Sequence, residues 1–265
     1  MGRLDNMEIG LGGCHSNKEE VFEAAWEKGI RIFDDGWGYS GKLKNTKFLG
    51  QFLQNKKDYK VIEKLPLMES LHLYNIDLYN CSDEDLDKEI RRVFQIQLDT
   101  MNQTYFEYYL IHAVFDNQFK KEFSFVKESD LYVRVWKILN DLKEEHKIGH
   151  IGFSAHITFG LLYRFIMKME KYNCKMDVAE ISYNLKNENG VTNSKDVWPA
   201  SGIDGVEFLK NKGYTLINMM VTERNTIPAK EAYEFAKKAP FDIILTGTSN
   251  KKHLLNNIGV INNEL

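Results

Sequence analysis

The segment 31–40, RIFDDGWGYS, gathers groups that can do acid–base chemistry. An apolar pair, Ile32-Phe33, runs into two carboxylates, Asp34 and Asp35, and the phenol of Tyr39 follows shortly after, behind Gly36 and Gly38. Lys64 and His112 each close another apolar run, Val61-Ile62 and Leu110-Ile111. Such a set supports proton transfer to a carbonyl oxygen. A phenol with a pKa of about 10 is a weak acid at neutral pH. A neighbouring ammonium favours the phenolate and lowers that pKa. An aspartate paired with the lysine fixes it and keeps it charged, and a histidine can hydrogen-bond the substrate oxygen. None of the four supplies a hydride, so a reduction would take one from a nicotinamide cofactor. Each residue also has a plainer reading: Asp34 as a helix cap, Tyr39 as a half-buried aromatic, Lys64 as a snorkelling lysine, His112 as a core histidine. Their places at the ends of successive strands favour the joint reading.

The elements that must position them alternate along the whole chain. Short β-type runs are expected at 7–11, 31–34, 59–63, 106–111, 150–154, 178–182, 214–219 and 241–245. Between them lie amphipathic stretches, for example 17–28 with Val21, Ala24, Ala25 and Trp26 on one face, and 43–54. Ser82 followed by Asp83, Glu84 and Asp85 reads as a helix N-cap with an acidic first turn. Further helices are expected through 133–142, at 158–171, 205–211 and 229–238, and from about residue 250. Strand followed by helix, eight times over, is the pattern of an α/β fold of the (β/α)8 TIM-barrel type, and the chain 1–265 reads as a single such domain. An open doubly wound sheet is the alternative, but no G-x-G-x-x-G follows the first strand. The polar loop 183–203 is the expected mobile element.

Composition narrows the function classes. The 265 residues carry a formal net charge of −3, with 43% hydrophobic and 28% charged residues, as in an ordinary globular protein. Near-neutral charge argues against a nucleic-acid or membrane surface. The three cysteines, Cys14, Cys81 and Cys174, are far apart and form no C-x-x-C pair, so neither a metal site nor a thioredoxin-type site is expected. Reduced thiols suit the cytoplasm. No apolar run reaches the roughly 18 residues that span a bilayer, and the N-terminus reads as no secretory signal.

The ordered motifs resemble the aldo-keto reductase family. Its strand ending F-D-T-A-x-x-Y-G is matched by Phe33-Asp34-Asp35-Gly36-Trp37-Gly38-Tyr39-Ser40, and its L-G-x-x-L helix by Leu49-Gly50-Gln51-Phe52-Leu53. Lys64 ends the third strand, and L-x-H appears as Leu110-Ile111-His112. The G-x-x-R-x-I-G-x-S segment corresponds to Lys147 through Ser154, Q-x-x-Y-N to Glu180 through Asn184, and G-T-S-N to Gly247-Thr248-Ser249-Asn250. The resemblance implies a catalytic tetrad of Asp34, Tyr39, Lys64 and His112, with Tyr39 as general acid. It implies a nicotinamide cofactor, NADP with NAD not excluded, bound by Ser154, Glu180, Met219, Gly247, Thr248, Ser249, Asn250, His253 and Asn257. Trp37 and His112 would meet the substrate.

The chain departs from the family pattern at both ends of that cofactor. Ala155 and Glu180 replace the Asn and Gln that hold the carboxamide, and a carboxylate can accept from an amide but not donate to it. A negative charge there would also favour the oxidised nicotinamide. Met219 stands where a stacking aromatic is common, and a thioether can pack on a ring. His253 and Asn256 replace an Arg and a Glu at the adenine end, with Lys251 and Lys252 nearby. The expected reaction is reduction of an aldehyde or ketone, or oxidation of the alcohol. The Tyr, His and Asp residues of 71–79 and Trp198 suggest a polar, sugar-like small molecule as substrate, and His156 could reach the mouth. A lyase or epimerase without net cofactor turnover and a nucleotide-binding regulatory subunit are the alternatives. The oligomeric state stays open.

Overall fold

The computed structural model describes residues 7–13, 18–36, 44–67, 71–115, 124–190 and 198–264. The strands are β1 (Glu8–Gly12), β2 (Ile32–Asp34), β3 (Lys60–Leu65), β4 (Phe106–Ile111), β5 (Ile148–Ala155), β6 (Val178–Ser182), β7 (Thr215–Met219) and β8 (Ile243–Thr246). The helices between and after them are α1 (Glu19–Glu27), α2 (Lys44–Leu53), α3 (Asp83–Met101), α4 (Phe125–Glu144), α5 (Phe159–Lys171), α6 (Gly202–Asn211), α7 (Ala229–Ala236) and α8 (Lys251–Ile261). The strands close in chain order into a parallel barrel, with β8 returning to β1, so the (β/α)8 fold read from the sequence is the one observed.

Strand alternation explains what fills the barrel. Ile32, Ile62, Tyr108, Leu110, Val178, Ile217, Ile243 and Leu245 point inward and pack as one apolar layer, with half-buried Met219 against it. Small residues make room for large neighbours: a Cβ on Gly10 would stand 2.6 Å from Leu245 Cδ2, and one on Gly152 would be 2.8 Å from Leu110 Cδ2 and would overlap the Val178 carbonyl. The opposite strand faces pack under the helices, where Phe33, Tyr109 and Phe153 join the apolar stripes of the helices. Gly50 lets α2 approach the end of α3, since a Cβ there would overlap the Met101 carbonyl.

The helix ends follow the local chemistry. Ser82 Oγ accepts from Asp85 N at 3.1 Å, as its place before an acidic turn predicts. Asn102 takes a left-handed φ of 53° and stops α3.

Two registers matter for the site. Across β2 and β3 the pairing ends at Asp34 with Ile62, whereas across β3 and β4 it continues to Leu65 with Ile111. Thus β3 outruns β2, and the backbone of Lys64 on that side has no strand to pair with. Second, Ser154 pairs with Glu180 across β5 and β6, and both sit one alternation step above the apolar layer. Among the described residues no helix is long and apolar enough to cross a membrane.

The loop after β6 is held by hydrogen bonds over its described first part. Asn184 and Asn187 are buried and bonded: Asn187 Oδ1 accepts from Asn184 N at 2.8 Å, and Asn187 Nδ2 donates to Ser182 Oγ at 2.9 Å. Ile203 N donates to Glu188 O at 2.7 Å, which ties that part back to α6.

Candidate active site

The layer above the apolar filling is polar and lies at the C-terminal ends of the strands. Asp34 closes β2, Lys64 is the penultimate residue of β3, and His112 follows β4 directly. Lys64 is fully buried and Asp34 only 4% exposed. Oxygens of Asp34, Asp35 and Glu180 lie around the Lys64 ammonium. It forms an ion pair with Asp34, donates to the Asp35 carbonyl at 3.0 Å, and lies 3.2 Å from Glu180 Oε2. His112 is half-buried, its amide donates to Leu65 O at 3.1 Å, and its ring acts electrostatically on both Asp34 and Glu180. Asp34, Lys64 and His112 therefore share one cluster, as their spacing implied. Tyr39 and Trp37 lie outside the described residues.

Around the single ammonium lie four buried carboxyls, Asp34, Asp35, Glu63 and Glu180. Taking a carboxylate out of water disfavours its charged form. Burial accordingly raises Asp34, with the Lys64 charge opposing it. Burial also pushes Asp35 up to about 6 and Glu180 up to about 7. Glu63 is raised well above the usual carboxylate range by burial and by the charge of Asp35.

Several of these residues were missed as site residues in the sequence. Asp35 was visible beside Asp34, but its side chain leaves the bore and hydrogen-bonds Thr46, while its carbonyl is the group that meets Lys64. Glu63 Oε1 accepts from Lys64 N at 2.9 Å and from Gln97 Nε2 at 3.0 Å, and Gln97 Nε2 also donates to Lys64 O at 2.8 Å. Tyr109 OH donates to Gln97 Oε1. These side chains replace the pairing that β2 no longer offers at Lys64. The one sequence signal for them was a Glu beside a Lys in an otherwise apolar strand.

Gly13 closes the opposite side. Its amide hydrogen-bonds Asp34, its carbonyl accepts from Asn45 Nδ2 at 3.1 Å, and a Cβ on it would overlap the Asp34 carbonyl.

The residues expected to bind a cofactor fall into two groups. Ser154 and Glu180 line the bore beside Lys64, and Met219 ends β7 over the apolar layer. Ser154 Oγ accepts from Ala113 N at 2.9 Å, a bond that does not use its own hydroxyl proton. Gly247, Ser249, Asn250 and His253 are exposed at the corner between β8 and α8, and Thr248 is buried there. Asn250 is the N-cap of α8, and its Oδ1 accepts from Lys252 N at 2.9 Å and His253 N at 3.2 Å. Asn257 faces inward and donates to Thr246 Oγ1 at 3.1 Å. Exposed Lys251 and Lys252 place ammonium groups at this corner, beside His253. The donor set thus fits an amide at one end and an anion at the other, with the Glu180 carboxyl able to donate only when protonated.

Several polar groups of the segment 71–79 are bonded within the fold. Tyr74 is buried and donates to Pro66 O at 2.6 Å, Leu78 is in the core, and Asp77 Oδ2 accepts from Asn80 at 2.7 Å. Tyr74, Asn75, Asp77 and Asn80 are thus engaged within the connection from β3 to α3. Trp198 does reach the mouth region: its ring centroid is 4.4 Å from that of His156, with the Arg224 guanidinium 4.8 Å away over the indole. Burial, and then the electrostatic influence of His112, Arg224 and Lys64, push His156 down to about 3, so its ring is neutral.

The sequence model of the Aldo/keto reductase family matches residues 8–208. No curated protein matches the chain by sequence. Among solved structures the chain is similar to a presumed aldo-keto reductase from Pseudomonas aeruginosa, at 17% identity and a TM-score of 0.68, covering 96% of this chain and 88% of that one. An aldo/keto reductase from Brucella melitensis aligns at 15% identity and a TM-score of 0.65, covering 95% and 88%. An aldo-keto reductase from Klebsiella pneumoniae in complex with NADPH aligns at 13% identity and a TM-score of 0.63, covering 96% and 85%. At these identities the likeness is one of fold.

Proposed function

The chain belongs to the Aldo/keto reductase family, and on that premise we propose that it is an oxidoreductase that moves a hydride between a nicotinamide cofactor and the carbon of an aldehyde, a ketone or the matching alcohol. The observation that carries this reading is the buried Lys64–Asp34 pair at the C-terminal mouth of the barrel, with His112 within electrostatic reach. The nicotinamide supplies the hydride when bound. The protein handles the proton. Tyr39 donates it to the carbonyl oxygen, the Lys64 ammonium makes the phenol a stronger acid, Asp34 anchors Lys64, and His112 orients the oxygen.

Ser154 and Glu180 are the proposed carboxamide contacts, Met219 packs on the ring, and the corner 247–250 with His253 and Asn257 takes the adenine end. Lys251 and Lys252 beside that corner, and the NADPH held by the Klebsiella pneumoniae protein, support NADP over NAD. Trp37 and His112 are the proposed substrate contacts, and the substrate class is a small carbonyl or alcohol.

The test is a titration with NADPH and NADH followed by tryptophan fluorescence, then turnover of 4-nitrobenzaldehyde. One reduced cofactor should quench the indoles, and Tyr39→Phe should keep that binding while losing about 10²–10⁴-fold in turnover, the usual weight of a general acid. Absence of quenching by both cofactors would remove the redox reading.

A further inference from the structure

The partner of Lys64 on β6 is not a neighbour of the strand that carries Asp34. In an eight-strand barrel closed in chain order, β2 and β6 stand on opposite walls. The Lys64 ammonium joins them, with Asp34 on one side and Glu180 Oε2 3.2 Å away on the other. Glu180 is 1% exposed, and Val178, two residues before it, is part of the inner apolar layer, so its side chain enters the bore. The floor of the mouth is thus an ion triad crossing the barrel.

We propose that Glu180 is a positioning residue, which holds Lys64 from across the bore and sets through its own charge how strongly the ammonium acts on the proton donor. This rests on the oxidoreductase reading for its catalytic consequence, but not for the contact itself. The charged and titratable groups that act on Glu180 are Lys64 from β3, Asp34 from β2 and His112 after β4; Ser154 beside it on β5 is neutral. Burial raises Glu180 to about 7, so its charge changes near neutral pH. When it is protonated, Lys64 answers to one carboxylate of the triad, and the phenol is the stronger acid. When it is ionised, two carboxylates share the ammonium, and the phenol is the weaker acid.

The experiment measures kcat and KM for NADPH-dependent reduction of 4-nitrobenzaldehyde from pH 5.5 to 8.5 in the wild type and Glu180→Gln. The wild type should lose about fivefold in kcat across pH 7 with KM nearly unchanged, and Glu180→Gln should flatten that step. The same step in both proteins overturns the proposal. Thermal unfolding without cofactor gives a second readout, so that loss of the redox reading is told apart from loss of this one. A carboxyl raised from 4.5 to about 7 on folding stabilises fully below pH 4.5 and loses that contribution as the pH rises through 7. The wild-type midpoint should therefore fall over that window more steeply than that of Glu180→Gln, and parallel curves overturn the proposal. Glu180→Met, which removes the charge while keeping a chain of similar length, is read in the same way and covers a Gln variant that does not fold.

Discussion

Gln97 of α3 donates its side-chain amide to the backbone carbonyl of Lys64 at 2.8 Å, at the point where β3 has outrun β2. A helix side chain thus stands in for the missing strand. The same nitrogen reaches Glu63 Oε1, and its oxygen accepts from Tyr109. Gln97→Leu keeps the volume and removes every one of these bonds. Buried polar groups left without partners cost about 1–3 kcal/mol each. We expect urea denaturation to show a loss of roughly 2–4 kcal/mol with an unchanged m-value. A loss under half a kilocalorie would mean that the network contributes nothing to holding Lys64.

Lys64 is the one cation of the triad, and its removal should bring a penalty that depends on pH. Lys64→Met leaves Asp34 and Glu180 facing each other in a dry bore. Removing one partner of a buried ion pair destabilises by about 3–5 kcal/mol. The sign with pH follows from the raised carboxyls. Asp34, Asp35 and Glu180 are all pushed up by burial, Asp35 to about 6 and Glu180 to about 7. A carboxyl whose folded pKa lies above its unfolded value favours folding at low pH and loses that contribution as the pH climbs through the folded pKa. The variant should therefore be hit hardest near pH 8 and recover near pH 5, where the carboxyls take up protons. Equal destabilisation at both values, measured by chemical denaturation, would contradict a charge-based origin.

How much of this could be read in the sequence depends on the range of each interaction. The strands 106–111 and 178–182 match β4 and β6 to the residue, because a compact apolar run carries its own boundary signal. The eighth strand was expected at 241–245 and lies at Ile243–Thr246. Asp242 belongs to the turn before it, since its carboxylate binds Lys210 Nζ at 2.6 Å and accepts from Leu216 N at 2.8 Å. Asp34, Lys64 and His112 were legible because each ends a strand, and the fold brings strand ends together. Glu63 and Gln97 were not. A glutamate on the outer face of a strand reads as solvated until a helix is known to cover it. The ion pair between Lys64 and Glu180 was equally hidden, because closing the barrel is what brings side chains of the non-adjacent strands β3 and β6 together. Tyr39 and Trp37, read from the motif, lie outside the described residues.

Asn184 pins two loops of the mouth together. Its Nδ2 donates to Met220 O at 3.0 Å and to Glu223 Oε2 at 2.9 Å, and its Oδ1 accepts from Lys186 N at 2.9 Å. The segment it holds is conformationally costly: Met220, Glu223, Arg224 and Asn225 all have positive φ, between 41° and 64°. Non-glycine residues in that region persist only where the surroundings enforce it, at about 1 kcal/mol or more each. Glu223 is 1% exposed, so without Asn184 a buried carboxyl loses its donor. Asn184→Ala should therefore release residues 220–226 before the barrel, since their restraint comes from side chains and local turn bonds rather than from the strand ladder. Hydrogen exchange should rise about tenfold or more at those amides and stay level in β3 and β4, the local opening expected of a separately held segment. The stack of Arg224 on Trp198 would loosen with it and change the indole emission. Unchanged exchange at 220–226 would show that the loop holds its left-handed turns without Asn184.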